Sequence, residues 1–387
     1  MLAETGNSPM ITLAACQESR DYRKFRVNRR VRQFPSITFF SSNSKFWFCT
    51  ILMCCQLFGF SCSAVALPQS ADKVQNPGTA AAPGDAQTGQ PVVEKQEAAL
   101  SQFDSVAAFE FLKQVCELGP RPSGSVGMKK QQQLIESHFK QNTGGQVFYQ
   151  SFLVRHPNNG RQVEMKNMLV RWHPDRNKRL LICCHYDTRP FPDRDPVNPR
   201  GVFIGANDGA SGVGLMCELG KHVNALEGSF GVDFMFFDGE EFVFVQPRDQ
   251  MFLGSTHFSR SYANGQVQAD YKAGVLVDMV ADKNLQIHYE GNSLRKAPRV
   301  TRHLWQIAGQ MGIKEFVAKK RHTIRDDHLP LNQIARIPVC DIIDFDYPVK
   351  GNGYWHTQQD TVANCSAESL GKVGTVVLQW LREMQQR

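Results

Sequence analysis

Three stretches of the chain are almost continuously apolar, and each ends abruptly on acids or a histidine. LLICC runs into His185-Tyr186-Asp187, FMFF into Asp238-Gly239-Glu240-Glu241, and VLV into Asp278. A strand with no polar face must be covered on both sides, as in a mainly parallel sheet. The spacing predicts strands at residues 166–172, 179–185, 233–238, 274–279 and 339–343. Helical patterns fall between and around them, at 105–118, 127–141, 211–226, 254–262, 297–311 and 367–387. This alternation predicts an α/β fold, with a mixed, mainly parallel central sheet and helices on both faces. In such folds the site lies beyond the carboxyl ends of the strands, where these acids cluster.

The catalytic unit is expected at residues 101–387. Upstream, residues 68–100 are rich in Pro, Gly, Ala and Gln without an aromatic, and read as a disordered linker. Residues 1–67 combine a basic flank ending at Lys45, an uncharged run FWFCTILMCCQLFGF and the small-residue exit SCSAVA. These are the parts of a secretory signal, and the same run could just span a bilayer as a signal anchor. Either way the protein is expected to be exported, with membrane contact only through an uncleaved N-terminal segment. The overall charge of +7 does not argue for nucleic acid. Residues 1–66 hold eight basic and three acidic side chains, which leaves 36 against 34 for the rest. A body so nearly neutral gains little from counterion release on a phosphate backbone.

Six cysteines follow the linker: Cys116, Cys183, Cys184, Cys217, Cys340 and Cys365. None forms a C-x-x-C pair, so a cysteine zinc site is not indicated. The oxygen and nitrogen donors are more informative. His185, Asp208, Glu240-Glu241, Asp278, Asp326-Asp327-His328 and His356 follow strands or fall in loops later in the chain. Adjacent Glu240 and Glu241 should repel unless a cation or a proton lies between them. Carboxylates and imidazoles together suit a zinc site. Asp238 is expected to orient backbone, and His257, His288 and His303 to be surface or core histidines.

In order, HYDT, GANDGASG, FFDGEE, VDMV and YWHT resemble the zinc aminopeptidase superfamily, and within it the glutaminyl cyclases (glutaminyl-peptide cyclotransferases). The similarity runs from about Asp104 to Arg387. The aspartate doublet in IRDDHLP and the spacing from Glu241 through Asp249 to LGS favour the cyclase branch. The resemblance implies one zinc held by Asp208, Glu241 and His356. It implies Glu240 as proton shuttle, and Asp278 as anchor of the substrate amine, hydrogen-bonded to Asp326. Trp355 would wall the pocket, and Gln246 stands where cyclases place a second tryptophan. Cys184 matches half of an animal cyclase disulfide, but its partner position is Val213 and that bridge is not expected. The loop GASG is closer to the aminopeptidase form.

The implied enzyme is a monomer acting on peptide or protein N-termini, turning N-terminal glutamine into pyroglutamate with release of ammonia. The same residues also fit a secreted two-zinc aminopeptidase. There His185 and Asp278 hold one metal, Glu241 and His356 the other, Asp208 bridges, and Glu240 is the base. A non-catalytic envelope binding protein of the same fold is a third reading.

Overall fold

The computed structural model describes residues 102–348 and 353–387. The expected signal or anchor at 1–67 and the linker at 68–100 lie outside the described residues. A six-stranded sheet forms the centre, in the order β1-β2-β4-β3-β5-β8. Its strands are β1 (Gln146–Arg155), β2 (Gln162–Trp172), β3 (Lys178–His185), β4 (Gly231–Phe237), β5 (Asp270–Asp278) and β8 (Val339–Ile343). β1 and β2 form an antiparallel hairpin whose inner strand pairs antiparallel with β4. β4, β3, β5 and β8 are parallel. A separate parallel pair joins β6 (Ile287–Tyr289) to β7 (Phe316–Lys320).

The continuous apolar runs are explained by a core on each face. Leu180, Ile182 and Cys184 of β3 join Val232, Phe234 and Phe236 of β4 in the larger core. Leu181 and Cys183 join Met235 and Phe237 in the smaller one. Successive side chains point to opposite faces of a strand, so both sets must be apolar. The larger core is covered by helices α1 (Ser105–Glu117), α2 (Val126–Asn142), α3 (Ala210–Val223), α6 (Pro298–Gln310) and α8 (Ala367–Gln385). The smaller face carries α4 (Leu253–Ala263). Short α5 (Gly291–Lys296) and α7 (His328–Pro330) complete the set, α7 continuing into a π-helical turn, Leu331–Ala335. Side chains cap the longer helices: Asp104 accepts from the Val106 and Ala107 amides at 3.0 Å, and Ser125 from Met128 at 3.0 Å.

Register brings the chemistry to one edge. His185 lies opposite Phe237, which is followed directly by Asp238, and Asp278 lies opposite Ile343. The parallel strands therefore deliver His185, the DGEE turn and Asp278 to the same end of the sheet. All six described cysteines are buried thiols with no disulfide among them.

Candidate active site

Two buried aspartates shape the loops that carry the acids. Asp187, just past β3, accepts from the amides of Glu240 and Glu241 at 3.1 and 3.0 Å, which fixes the turn after β4. Asp360 does the same for the 207–208 loop, accepting from the Asn207 and Asp208 amides at 2.7 and 3.1 Å. Asp238 accepts the Lys166 amide at 2.8 Å and the Ser123 hydroxyl at 2.6 Å, so it orients backbone as expected. Gly209 closes the approach to α3 at φ 101°, where a side chain would be strained and its Cβ would come within 3.1 Å of the Asp187 carbonyl. His356 takes a left-handed conformation, φ 58°, without being glycine. Such strain, about 1–3 kcal/mol, gathers at functional sites.

The expected zinc triad is assembled. His356 Nε2 lies 3.2 Å from Glu241 Oε1 and 3.4 Å from Asp208 Oδ2. Asp208 Oδ2 is buried with no hydrogen-bond donor, an orphan that a cation would satisfy. One imidazole nitrogen and two carboxylates form a donor set that suits zinc, so these residues fit the metal. Behind the triad, Arg189 Nη1 donates to Glu241 Oε2 at 2.6 Å, and Asp193 Oδ1 lies 3.4 Å from His356 Nδ1. Such outer contacts orient ligands. A second triad shares Asp208: His185 Nε2 lies 3.2 Å from both Asp208 Oδ1 and Asp278 Oδ1.

The adjacent glutamates are driven apart in acidity. Burial, reinforced by the charge of Glu241, pushes Glu240 well above the usual carboxylate range. Burial acts on Glu241 in the same sense, but Arg189 and His356 overcome it and hold Glu241 well below that range. His356 is raised to about 9, Glu241 and then Asp193 outweighing the opposing effect of burial. Carboxylates separated in this way divide the work: one stays anionic, while the other can take up and release a proton.

Beside them, Asp326 Oδ1 accepts the Asp327 amide at 2.5 Å, while its Oδ2 is buried without a donor. Burial and then the charge of Asp278 push Asp326 well above its ordinary range. Burial lifts Asp327 to about 7, although the Ser255 hydroxyl donates to it at 2.5 Å. Next in the chain, His328 is fully buried between two carboxylates, Nδ1 at 3.4 Å from Asp341 and Nε2 at 3.3 Å from Glu290. His328→Leu would leave the buried Asp341 carboxylate, neither of whose oxygens has another donor, without its imidazole neighbour. It is expected to cost about 3–5 kcal/mol of unfolding free energy in a denaturant titration, and a loss below about 1 kcal/mol would contradict this.

Asp208, Glu240, Glu241, Asp278, Asp326, His185 and His356 thus come together. Trp355 packs against the His356 ring at 3.9 Å and Phe345 at 4.9 Å, beside the site. Gln246 is exposed on its loop, with its amide 4.0 Å from Met251 Sδ. His257 stacks on Phe152 and His303 pairs with Glu383, both outside the site. Sequence reasoning passed over Arg189, Asp193 and Asp360. Arg189 stood directly after a recognised motif, HYDT, and a cation so close to strand-end acids was the available signal.

The fold and these triads define a zinc exopeptidase-type enzyme site, and the chain belongs to peptidase family M28, whose family model matches residues 167–381. Relatives divide between two named activities. A glutaminyl cyclase from Fimbriiglobus ruber is 37% identical, covering 72% of this chain and 95% of that one, with a TM-score of 0.68. A leucine aminopeptidase precursor from Bacteroides thetaiotaomicron is 31% identical, covering 73% and 98%, with a TM-score of 0.67. A glutaminyl-peptide cyclotransferase from Bothrops jararaca is 23% identical over 245 residues, which are 54% of this chain and 63% of that relative. The chain thus spans less than two thirds of the length of this curated relative.

Proposed function

We propose that the chain is a glutaminyl-peptide cyclotransferase, converting N-terminal glutamine to pyroglutamate around one zinc. The observation that carries this reading is the set of buried acids beside the Asp208–Glu241–His356 triad: Glu240, and Asp326 with an Oδ2 that has no donor. Intramolecular cyclisation consumes no water. The α-amine nitrogen bonds to the γ-carboxamide carbon, the carbon–nitrogen bond to the amide breaks, and ammonia leaves. One proton must come off the amine and one must reach the leaving group. A single buried carboxylate whose pKa is raised by burial, Glu240, can carry it between them.

Asp278 would hold the amine. Asp326 Oδ2 is buried without a donor, and a proton shared with Asp278 would satisfy it and leave Asp278 a weak metal ligand. Trp355 would wall the glutamine side chain and limit it to a near-attack geometry. Asp208, Glu241 and His356 would hold zinc, which when bound supplies Lewis acidity at a carboxamide oxygen.

The position of His185, equidistant from Asp208 and Asp278, favours a second reading, a two-zinc aminopeptidase with Glu240 as base. Incubation with peptides beginning Gln-Ala and Leu-Ala, read by mass spectrometry, separates them. Loss of ammonia from the first supports the cyclase, and removal of leucine from the second supports the peptidase.

A further inference from the structure

The interior of the site is rich in carboxylates, but unpaired charge around it is positive. Three exposed arginines lie near it: Arg194 and Arg200 on the loop that joins β3 to α3, and Arg325 on the segment that carries Asp326. The Arg194 amide donates to the carbonyl of His356 at 3.1 Å, and its guanidinium lies 4.5 Å over the ring of Trp355. Arg200 lies 4.7 Å over Phe191, two residues from the arginine that holds Glu241. Arg325 directly precedes Asp326 and lies 5.9 Å over Phe252. None of the three is ion-paired among the described residues.

Neighbouring acids are already engaged. Asp193 is 2.7 Å from Arg189, and Asp249 is 2.7 Å from Arg248. Asp195 accepts from the Val197, Asn198 and Gln358 amides at 3.0, 2.8 and 2.8 Å. A guanidinium seated on an aromatic face is held in place while its donors stay open to a partner. The arginines are thus positioned for an anion brought by the substrate.

We infer that Arg194, Arg200 and Arg325 form a specificity collar that selects peptides with aspartate or glutamate in the positions following the N-terminal residue. This rests on the cyclase reading for what becomes of the N-terminus. The amine would enter the acidic interior while side chains just behind it meet the arginines. An acid at those positions gains charge-assisted hydrogen bonds, and a lysine meets like charge.

The test compares kcat/KM for Gln-Asp-Asp, Gln-Ala-Ala and Gln-Lys-Lys peptides at low salt. It also measures binding of C-terminally labelled Gln-Asp-Asp and Gln-Ala-Ala peptides to the zinc-loaded Glu240→Gln variant by fluorescence anisotropy. The expected preference for acidic over neutral peptide is roughly tenfold in both, shrinking at about 0.5 M salt as rim charges are screened. In the triple variant Arg194→Gln, Arg200→Gln, Arg325→Gln the acidic-to-neutral ratio should fall towards one. Cyclisation of all three peptides at equal efficiency would overturn the collar and leave the cyclase reading standing. Failure to cyclise any glutamine peptide would overturn the cyclase reading, and the anisotropy ratio would still decide the collar.

Discussion

Glu240→Gln is expected to bind zinc like the parent protein and to lose about 10²–10⁴-fold in turnover, the range for a general acid–base group. The substitution keeps the shape of the side chain and removes its proton chemistry. Metal content should persist because Glu241, not Glu240, lies against His356 at 3.2 Å and is held anionic by Arg189. The pH dependence carries a sign. Glu240 must begin deprotonated to relieve the amine of its proton, so turnover should fall as pH drops through its raised pKa. That acidic limb should vanish in the variant's residual rate. A metal-replete Glu240→Gln with less than a tenfold loss would remove Glu240 from the proton transfer.

His356→Ala should remove the metal instead of the proton. His356 is the sole nitrogen donor of its triad, and without it two carboxylates remain near one another with a weaker hold on zinc. A ligand bound only by the folded state stabilises it by about 4 kcal/mol at a thousandfold excess over its dissociation constant. The parent protein should therefore show a zinc-dependent rise in thermal midpoint. His356→Ala should show little rise, together with turnover at background. An equal zinc-induced rise in both proteins would place the metal elsewhere.

The parts of the fold that were legible in the sequence were those with a one-residue signature. β3, β4, β5 and β8 are packed on both faces, and this survives as runs that are largely apolar, interrupted by buried Asp233 in β4 and Asp341 in β8. β1 left no such trace. It pairs only with β2, and its burial alternates between exposed and partly covered, so polar Gln146, Gln150, Ser151 and Arg155 break up its apolar residues and leave no continuous run. β6 and β7 are three and five residues long and are defined by pairing across distant sequence. At the site, residue type betrayed the ligands, since acids at the ends of apolar strands are out of place unless something binds them. The supporting residues had no such mark. Asp187 matters because its two oxygens meet two backbone amides some fifty residues away, and Glu290, His328 and Asp341 meet only once three separate segments have packed.

Metal analysis of the purified protein, made alongside its turnover of Gln-Ala and Leu-Ala peptides, tests the one-zinc cyclase most directly. Two triads share Asp208, and the structure brings His185 and Asp278 close enough to serve a second ion. If Asp278 shares a proton with Asp326, that second position is missing a carboxylate ligand and stays weak. The account predicts one zinc per chain, with ammonia released from the glutamine peptide and the leucine peptide left intact. Two zinc ions per chain, with leucine removed and glutamine not cyclised, would contradict it.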